Sequence, residues 1–414
     1  MPYRTLKALF HADRSNERFT KYAALADERR NADSAFRTGI VTDSGELFMA
    51  VPRELSVLSE SVLRFERVIS KLASDLPPVA TGALIRDLII KEVVSTNELE
   101  GVHSTRQQIN DVLEMHRESA ESLKAKRFAE LVKLYLNLTE PNGIVPTTPE
   151  EIRSIYDQVM RGEELGEDAP DGKIFRRREV AIYNESGIEV HTGLHPESRI
   201  TDAVQRMLEI VNSDEVPQIY SSIIGHFVFE YIHPFYDGNG RTGRYLLALW
   251  LSEPLSLLTS LSLSRIIFEN KDTYYRAFKR AEHPLMYGEL TFFVISMLEL
   301  VRQAQEELDS SLREKKLQLD AAASCLNSAQ RGLGICDQES SLLYLFSQVH
   351  LFASVPSVRL AELADYLDCS VGTARKYSRL LEEKSLIEPV TRSPLRFVLT
   401  RKALDLLGIK QQTT

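Results

Sequence analysis

Cysteine is scarce in this sequence. Only Cys325, Cys336 and Cys369 occur in 414 residues, and no CxxC pair is present. An odd, widely spaced set argues against a disulfide framework and against a zinc site. Glycine and proline are not enriched, and there is no repeat or low-complexity tract. These absences favour an ordinary globular protein. Its length of 414 residues suggests two to three domains.

Long apolar runs are also missing. No segment reaches the roughly 18 apolar residues that a membrane helix needs, and MPYRTLKALFHADRSNERF turns polar too soon for a signal peptide. We therefore expect a soluble, cytoplasmic chain with no membrane partner. Positive charge is in deficit, because 50 Lys and Arg stand against 59 Asp and Glu. Any contact with nucleic acid would need a local basic patch.

Helical periodicity dominates the sequence from about residue 52 onward. The segment KIFRRREVAIYNESGIEVHTG (173–193) interrupts it with short β-branched runs around NESG, which predicts a hairpin. A further strand is predicted at GELFMAV (45–51). Beyond Glu307 the helix that ends in VRQAQEELDSSLREKK loses its apolar face, which indicates a helix running into solvent or a linker.

The predicted fold is mainly α, and the chain divides into four parts. They are an amino-terminal region (1–115) with a helix at about 82–101, a helical core (116–310) carrying the hairpin 173–193, a linker helix (311–336) and a winged helix-turn-helix (337–414).

The stretch HPFYDGNGRTGR lies between two strongly apolar segments, HFVFEYI and YLLALWL. Pro234 must end the first helix, which places His233 at its terminus. The GNG turn leads into the next helix, whose free N–H groups favour an anion. Arg241 and Arg244 share one face there and suit phosphate oxygens. Asp237 is placed to hold Mg2+, and His233 can accept a proton near neutral pH. This order indicates transfer of a phosphate-containing group.

HPFYDGNGRTGR resembles the HxFx(D/E)GNGRxxR signature of Fic domain adenylyltransferases at every defined position. The resemblance covers about residues 50–305 and implies a Fic-type helical core with ATP as substrate. His233 would deprotonate a Tyr, Ser or Thr hydroxyl of a target protein, the protein itself included. Asp237 would hold Mg2+, and Arg244 would hold the γ-phosphate. The other ATP- and phosphate-binding positions implied are Gly238, Asn239, Gly240, Arg241, Thr242 and Gly243.

Doc-type relatives, which phosphorylate their targets, carry Lys where Gly240 stands, so Gly240 favours nucleotidyl transfer. TNELEG, upstream, is similar to the inhibitory (S/T)xxxE(G/N) motif of the family, matched by Thr96, Glu100 and Gly101. That likeness implies that Glu100 pairs with Arg244 and keeps the enzyme autoinhibited. The reverse reaction, removal of AMP, and a homodimer are left open by the family.

Two further features gain meaning from the resemblance. The segment FRRREVAIY is similar to the flap that pairs with the target's backbone, which assigns target binding to Val180, Ala181, Ile182 and Tyr183. Tyr274 and Tyr275 resemble paired tyrosines near the nucleotide. Relatives often have Asn several residues later, where this chain has Glu282 or His283.

The carboxyl-terminal LAELADYLDCSVGTARKYSRLLEEKSLIEPV predicts helix, turn and helix, with Ser370 as the N-cap. Thr373, Arg375, Lys376 and Arg379 would lie on the exposed side of the second helix. Between residues 357 and 410 ten Lys and Arg stand against seven Asp and Glu, a modest basic bias. A winged helix binds DNA or other proteins, and both kinds of partner remain open.

Two functions are compatible with these patterns. The first is a protein adenylyltransferase held off by Glu100. The alternative is a DNA-binding transcriptional regulator with an ATP-sensing or vestigial Fic domain. The complete loop, with His233, Asp237, Asn239 and both arginines, favours the enzyme.

Overall fold

The computed structural model describes residues 3–118, 127–140, 145–183, 187 and 189–410. Within these ranges the protein is mainly helical, with small antiparallel sheets. The first half contains α1 (Leu6–Ala12), α2 (Arg18–Arg30), β1 (Ala35–Thr42), β2 (Gly45–Ala50), α3 (Arg53–Ser74), α4 (Pro78–Leu99), α5 (Arg106–Glu118), α6 (Ala129–Asn137), α7 (Pro149–Val159), β3 (Ala181–Tyr183) and β4 (Glu189–Thr192).

The second half is helical up to its carboxyl-terminal sheet. It contains α8 (Glu197–Val211), α9 (Gln218–Ile232), α10 (Asn239–Leu251), α11 (Leu257–Ser260), α12 (Leu263–Glu269), α13 (Lys271–Ala281), α14 (Thr291–Leu333), α15 (Asp337–Phe352), β5 (Val358–Arg359), α16 (Leu360–Tyr366), α17 (Val371–Glu383), β6 (Ile387–Arg392), β7 (Leu395–Leu399) and α18 (Arg401–Leu407).

Helices α9 and α10 are the central helices around the polar loop, because both are buried along nearly their whole length. Close packing here depends on Gly225. A β-carbon at that position would lie 2.5 Å from Val211 Cγ2 and 3.1 Å from Trp250 Cζ3. The two apolar segments that flank the polar loop are therefore the buried scaffold that the sequence predicts.

The described chain divides into two compact units. One comprises residues 1–67 and 91–306, and the other comprises residues 68–90 and 307–414. This division differs from the four predicted parts, since residues 1–67 and 91–115 belong to the same unit as the helical core. Residues 68–90 are assigned away from their sequence neighbours. None of the described helices is both long and apolar enough to cross a membrane.

Several predictions about individual elements need correction. The helix beyond Glu307 does not run out into solvent, because α14 continues to Leu333 and buries a thin stripe of side chains, Leu308, Leu312, Leu319, Ala322 and Leu326. Leucines seven residues apart maintain that stripe among charged neighbours, so a simple count of apolar residues misses it. The helices α1 and α2 and the strand β1 were not recognised in the sequence, whereas β2 lies at the predicted strand.

The hairpin is shorter than predicted. Its strands are β3 and β4, with Ala181 opposite Thr192 and Ile182 opposite His191. Residues 173–180, the first part of the predicted hairpin, have no regular secondary structure. Most of the predicted NESG turn, Asn184, Glu185 and Ser186, lies outside the described residues.

The second unit contains α15, α16, α17 and a three-stranded sheet in the order β5, β7, β6. Ser370 caps α17, because its hydroxyl accepts the Thr373 backbone N–H at 3.2 Å. The helices and the strands β6 and β7 follow the order expected from the sequence, and β5, between α15 and α16, was not predicted. Assignment of this unit as a winged helix stays a prediction.

Candidate active site

The loop between α9 and α10 begins at His233, which ends α9 in the left-handed conformation, with φ 50° and ψ 63°. Its backbone N–H donates to Phe229 O at 3.0 Å. Phe235 is fully buried and stacks on Tyr156 with 3.6 Å between ring centres. Asn239 braces the turn, since its amide donates to Phe235 O at 2.8 Å and accepts from Phe235 N at 3.0 Å. The Asn239 side chain therefore supports the predicted anion-binding loop from inside.

Helix α10 starts at the turn, as predicted. Gly238 is its N-cap with φ 77°, and a β-carbon there would lie 2.3 Å from Met160 Sδ. Both the backbone angle and the close approach require glycine. Asp237 accepts the Gly238 N–H at 2.6 Å, and its side chain is 54% exposed. One accessible carboxylate fits Mg2+ bound together with phosphate oxygens, and the described residues contain no group of three metal-ligating side chains.

Arg241 is 1% exposed and is held by a carboxylate. Its Nη1 lies 3.1 Å from Glu163 Oε1, and its Nη2 lies 3.8 Å from Asp237 Oδ2. Glu163 also accepts from Arg127 Nε at 3.2 Å and Nη2 at 3.0 Å. Glu163 was missed in the sequence because it lies 78 residues from Arg241, in a segment without a motif.

Arg244 is 3% exposed and is held by residues at the end of α4. Its Nη2 lies 2.6 Å from Glu100 Oε1, and its Nε donates to Thr96 Oγ1 at 2.8 Å. The same Nη2 donates to Thr96 O at 3.1 Å. Thr96 and Glu100 are four residues apart at the end of α4, and Gly101 follows with φ 69°. The predicted contact between Glu100 and Arg244 is therefore present.

Charge and burial act together at this loop. Burial alone would lower the pKa of Arg244, but the Glu100 carboxylate raises it above the ordinary value. Burial lowers the pKa of His233 to about 3, with contributions from the charges of His191 and Arg176. His233 is therefore neutral at physiological pH, which is the form that accepts a proton.

Glu230 is a further residue of the site, and it was not predicted from the sequence. Its Oε1 is buried and would lie 2.2 Å from a β-carbon at Gly243. Burial raises its pKa to about 7, although the Arg244 charge acts in the opposite direction. An acid inside the apolar segment HFVFEYI was the signal that could have revealed it.

The two tyrosines of α13 differ in exposure, although their rings meet edge to face with 5.3 Å between ring centres. Tyr274 is 2% exposed, and its hydroxyl bonds to His226 Nε2 at 2.9 Å. Tyr275 is 49% exposed. The assignment of both tyrosines to nucleotide binding stays a prediction; Tyr274 packs in the core, and of the two rings Tyr275 is the accessible one.

The hairpin is attached to α9 and to the end of α13 through His191 on β4. Its Nδ1 lies 3.0 Å from Glu282 Oε2, and its Nε2 lies 2.8 Å from Tyr231 O. Glu282 thus has a structural partner in the hairpin. In the predicted flap, Val180 O accepts from Gly193 N at 3.0 Å, and Ala181, Ile182 and Tyr183 form β3.

In the second unit the predicted nucleic-acid contacts lie on α17. Arg375, Lys376 and Arg379 are exposed, and Thr373 is half-buried. Arg379 Nε lies 3.2 Å from Glu383 Oε1, which offsets part of its charge.

The fold and the loop define a helical domain built around a glycine turn that is flanked by a neutral histidine and two enclosed arginines. A family model described as the Fic/DOC family matches residues 146–251. A probable protein adenylyltransferase from Aquifex aeolicus is 39% identical over 71 residues, which are 17% of this chain and 20% of the relative. The match thus spans one fifth of that relative's length.

Solved structures also resemble the chain. A Fic family protein from Desulfovibrio desulfuricans matches with a TM-score of 0.53 and 20% identity, over 88% of this chain and 98% of that one. A fragment of Fic-1 from C. elegans matches with a TM-score of 0.44 and 17% identity, over 75% and 81% of the two chains. Residues 146–251 of the chain therefore form a segment of the Fic/DOC type.

Proposed function

We propose that this protein transfers AMP from ATP to a hydroxyl side chain of a target protein, and that Glu100 holds the activity off. The observation that carries the proposal is the contact of 2.6 Å between Glu100 and Arg244 inside a complete Fic loop. The Glu100 carboxylate occupies the N–H donors of the Arg244 guanidinium that would otherwise hold a phosphate. Its negative charge also repels the negative charge of that phosphate.

The chain's own groups account for the reaction steps. Neutral His233 takes the proton of the target hydroxyl as that oxygen bonds to the α-phosphorus of ATP. The bond from the α-phosphorus to the bridging oxygen breaks at the same time, and pyrophosphate leaves. Asp237 would hold Mg2+, which supplies charge neutralisation to the phosphates. The loop N–H groups and the arginines orient the phosphates.

Gly240 favours transfer of AMP over transfer of phosphate. A β-carbon at this position would lie 2.1 Å from Glu100 Oε1 and 2.9 Å from Arg244 Nη1. The longer Lys of the phosphorylating relatives would not fit the arrangement in this structure.

Labelled ATP distinguishes these reactions. Glu100→Gly protein with Mg2+ should incorporate label from α-labelled ATP into protein, and γ-labelled ATP should give none. His233→Ala in the same background should abolish the α-label. Incorporation of γ-label would instead indicate phosphorylation, and equal labelling of wild type and Glu100→Gly would exclude the inhibitory role of Glu100.

The inhibitory glutamate also raises the question of the reverse reaction. Protein labelled by Glu100→Gly can be purified and mixed with unlabelled wild type and with His233→Ala. Release of AMP by wild type only would assign de-AMPylation to this chain. Retention of the label in both mixtures would leave forward transfer as the single activity of the site.

A DNA-binding role for the second unit is the alternative that a specific feature favours. Three cations, Arg375, Lys376 and Arg379, are exposed on α17, a helix of 13 residues. The full-length protein should shift duplex DNA in a salt-dependent manner, and alanine at the three positions should remove the shift. No shift at low salt would exclude this role.

A further inference from the structure

Arg176 is fully buried next to the candidate base. Its Nε donates to His233 O at 2.9 Å, and its Nη2 lies 3.5 Å from Ile232 O. Its own backbone N–H donates to Pro234 O at 3.2 Å. One residue therefore holds three successive carbonyl groups at the end of α9, including that of the histidine itself.

The same guanidinium reaches both ends of the hairpin. Its Nη1 donates to Arg178 O at 2.7 Å, ahead of β3, and its Nη2 donates to Leu194 O at 2.8 Å, after β4. Among the residues that the structure describes, the hydrogen bonds of this side chain all end on backbone carbonyls. A planar fork with five donors suits such a set of acceptors, whereas an ammonium group cannot span it.

Gly193 provides the space for this junction. A β-carbon at Gly193 would lie 2.4 Å from Arg176 Nη2 and 3.0 Å from His233 Cβ. Since a side chain at this point would displace the guanidinium, the hairpin, Arg176 and His233 can meet only because residue 193 is glycine.

We propose that Arg176 is the positioning residue that fixes the catalytic histidine relative to the strands that present the target hydroxyl. The inference rests on the proposed function, because His233 is the base of that reaction. The hydrogen bonds of the Arg176 side chain end on residues 178, 194, 232 and 233, away from the glycine turn, so Arg176 acts on the geometry of proton removal and leaves nucleotide binding to other groups.

Three variants distinguish loss of the position of His233 from a general loss of structure. In the Glu100→Gly background, Arg176→Lys retains the charge but loses the fork, and Arg176→Gln loses both. Gly193→Ala leaves Arg176 in the chain and forces it out of place. Arg177→Gln is the matched control, because Arg177 is an exposed neighbour whose side chain lies outside this junction. Self-labelling from α-labelled ATP, ATP affinity by calorimetry and the His233 titration by NMR are measured for each.

Arg176→Lys and Gly193→Ala should lower the self-labelling rate at saturating ATP by about tenfold to a hundredfold. Their affinity for ATP should equal that of Glu100→Gly alone, and Arg177→Gln should leave both the rate and the affinity unchanged. Arg176→Gln should in addition raise the pKa of His233, since the Arg176 charge helps to lower it. Should Arg176→Lys fail to fold, Gly193→Ala decides the question.

Two results would overturn the inference. One is an unchanged rate in folded Gly193→Ala. The other is a loss of rate that follows a matching loss of ATP affinity. Failure of the proposed function is recognised separately, because Glu100→Gly itself would then incorporate no label. In that case the His233 titration still tests the junction, and an unchanged His233 pKa in Arg176→Gln would refute it.

Discussion

Glu100 Oε1 lies 2.6 Å from Arg244 Nη2, and the same oxygen would lie 2.1 Å from a β-carbon at Gly240. The glutamate therefore reaches the arginine across a space that exists because residue 240 has no side chain. This relationship joins the end of α4 to the first turn of α10. Gly240 therefore provides the space for the contact between Glu100 and Arg244 as well as for the loop.

Gly240→Ala should displace Glu100, because a carboxylate at the end of a flexible side chain moves more easily than helix backbone. ATP should then bind more tightly to Gly240→Ala than to wild type, as calorimetry would measure. Gly240→Ala made in the Glu100→Gly protein should bring no gain in ATP affinity, and the four proteins together form a double-mutant cycle. Equal weakening of ATP binding in both backgrounds would mean that the methyl group blocks the nucleotide.

Glu92→Gln should change how stability depends on pH. Glu92 is fully buried and accepts from Ser264 N at 2.9 Å, and burial raises its pKa to about 7 against these hydrogen bonds. The folded state keeps a proton that the unfolded chain releases near pH 4.5, so stability falls as pH rises from there through about 7. The free energy of unfolding of Glu92→Gln relative to that of wild type, measured in urea, should increase by about 3 kcal/mol between pH 5 and pH 8. Parallel curves for the two proteins would contradict this.

Tyr274→Phe should destabilise the protein, whereas Tyr275→Phe should not. Burial lowers the pKa of His226 to about 3, so the ring is neutral, and its Nδ1 donates to Gly243 O at 3.1 Å. Nε2 must then accept from Tyr274. Removing that hydroxyl leaves a buried acceptor unpaired at a cost of about 1–3 kcal/mol. Thermal or urea unfolding of the two variants provides the comparison, and equal stabilities would argue against the bond.

Glu282→Gln should lower the pKa of His191. Burial tends to lower this pKa, but the Glu282 contact raises it above the ordinary value. The pair therefore stabilises the folded state fully below pH 6.5, and that stability is lost as pH rises through the higher folded pKa. NMR titration of His191 measures the shift. Glu189→Gln removes a similar charge from the same strand without touching the ring, so an equal fall there would show a general charge effect.

The sequence predicted the structure of the loop between α9 and α10 well, because the residues that shape this loop lie within it or next to it. Pro234 ends a helix wherever it follows one, and Gly238 takes a backbone angle that other residues avoid. The apolar segments on either side were long enough to indicate buried helices. The contact between Glu100 and Arg244 was also anticipated, but through the likeness of two motifs to a known family.

The sequence by itself determined the two buried helices, the glycine turn between them and the cap at Ser370, since each depends on residues within one or two turns of chain. Only the tertiary structure decided that Glu163 holds Arg241 and that Arg176 holds the carbonyl of His233. Those partners lie 78 and 57 residues apart. Chain folding selects them from many similar charged residues, and no local pattern distinguishes a buried arginine from its exposed neighbours in FRRRE.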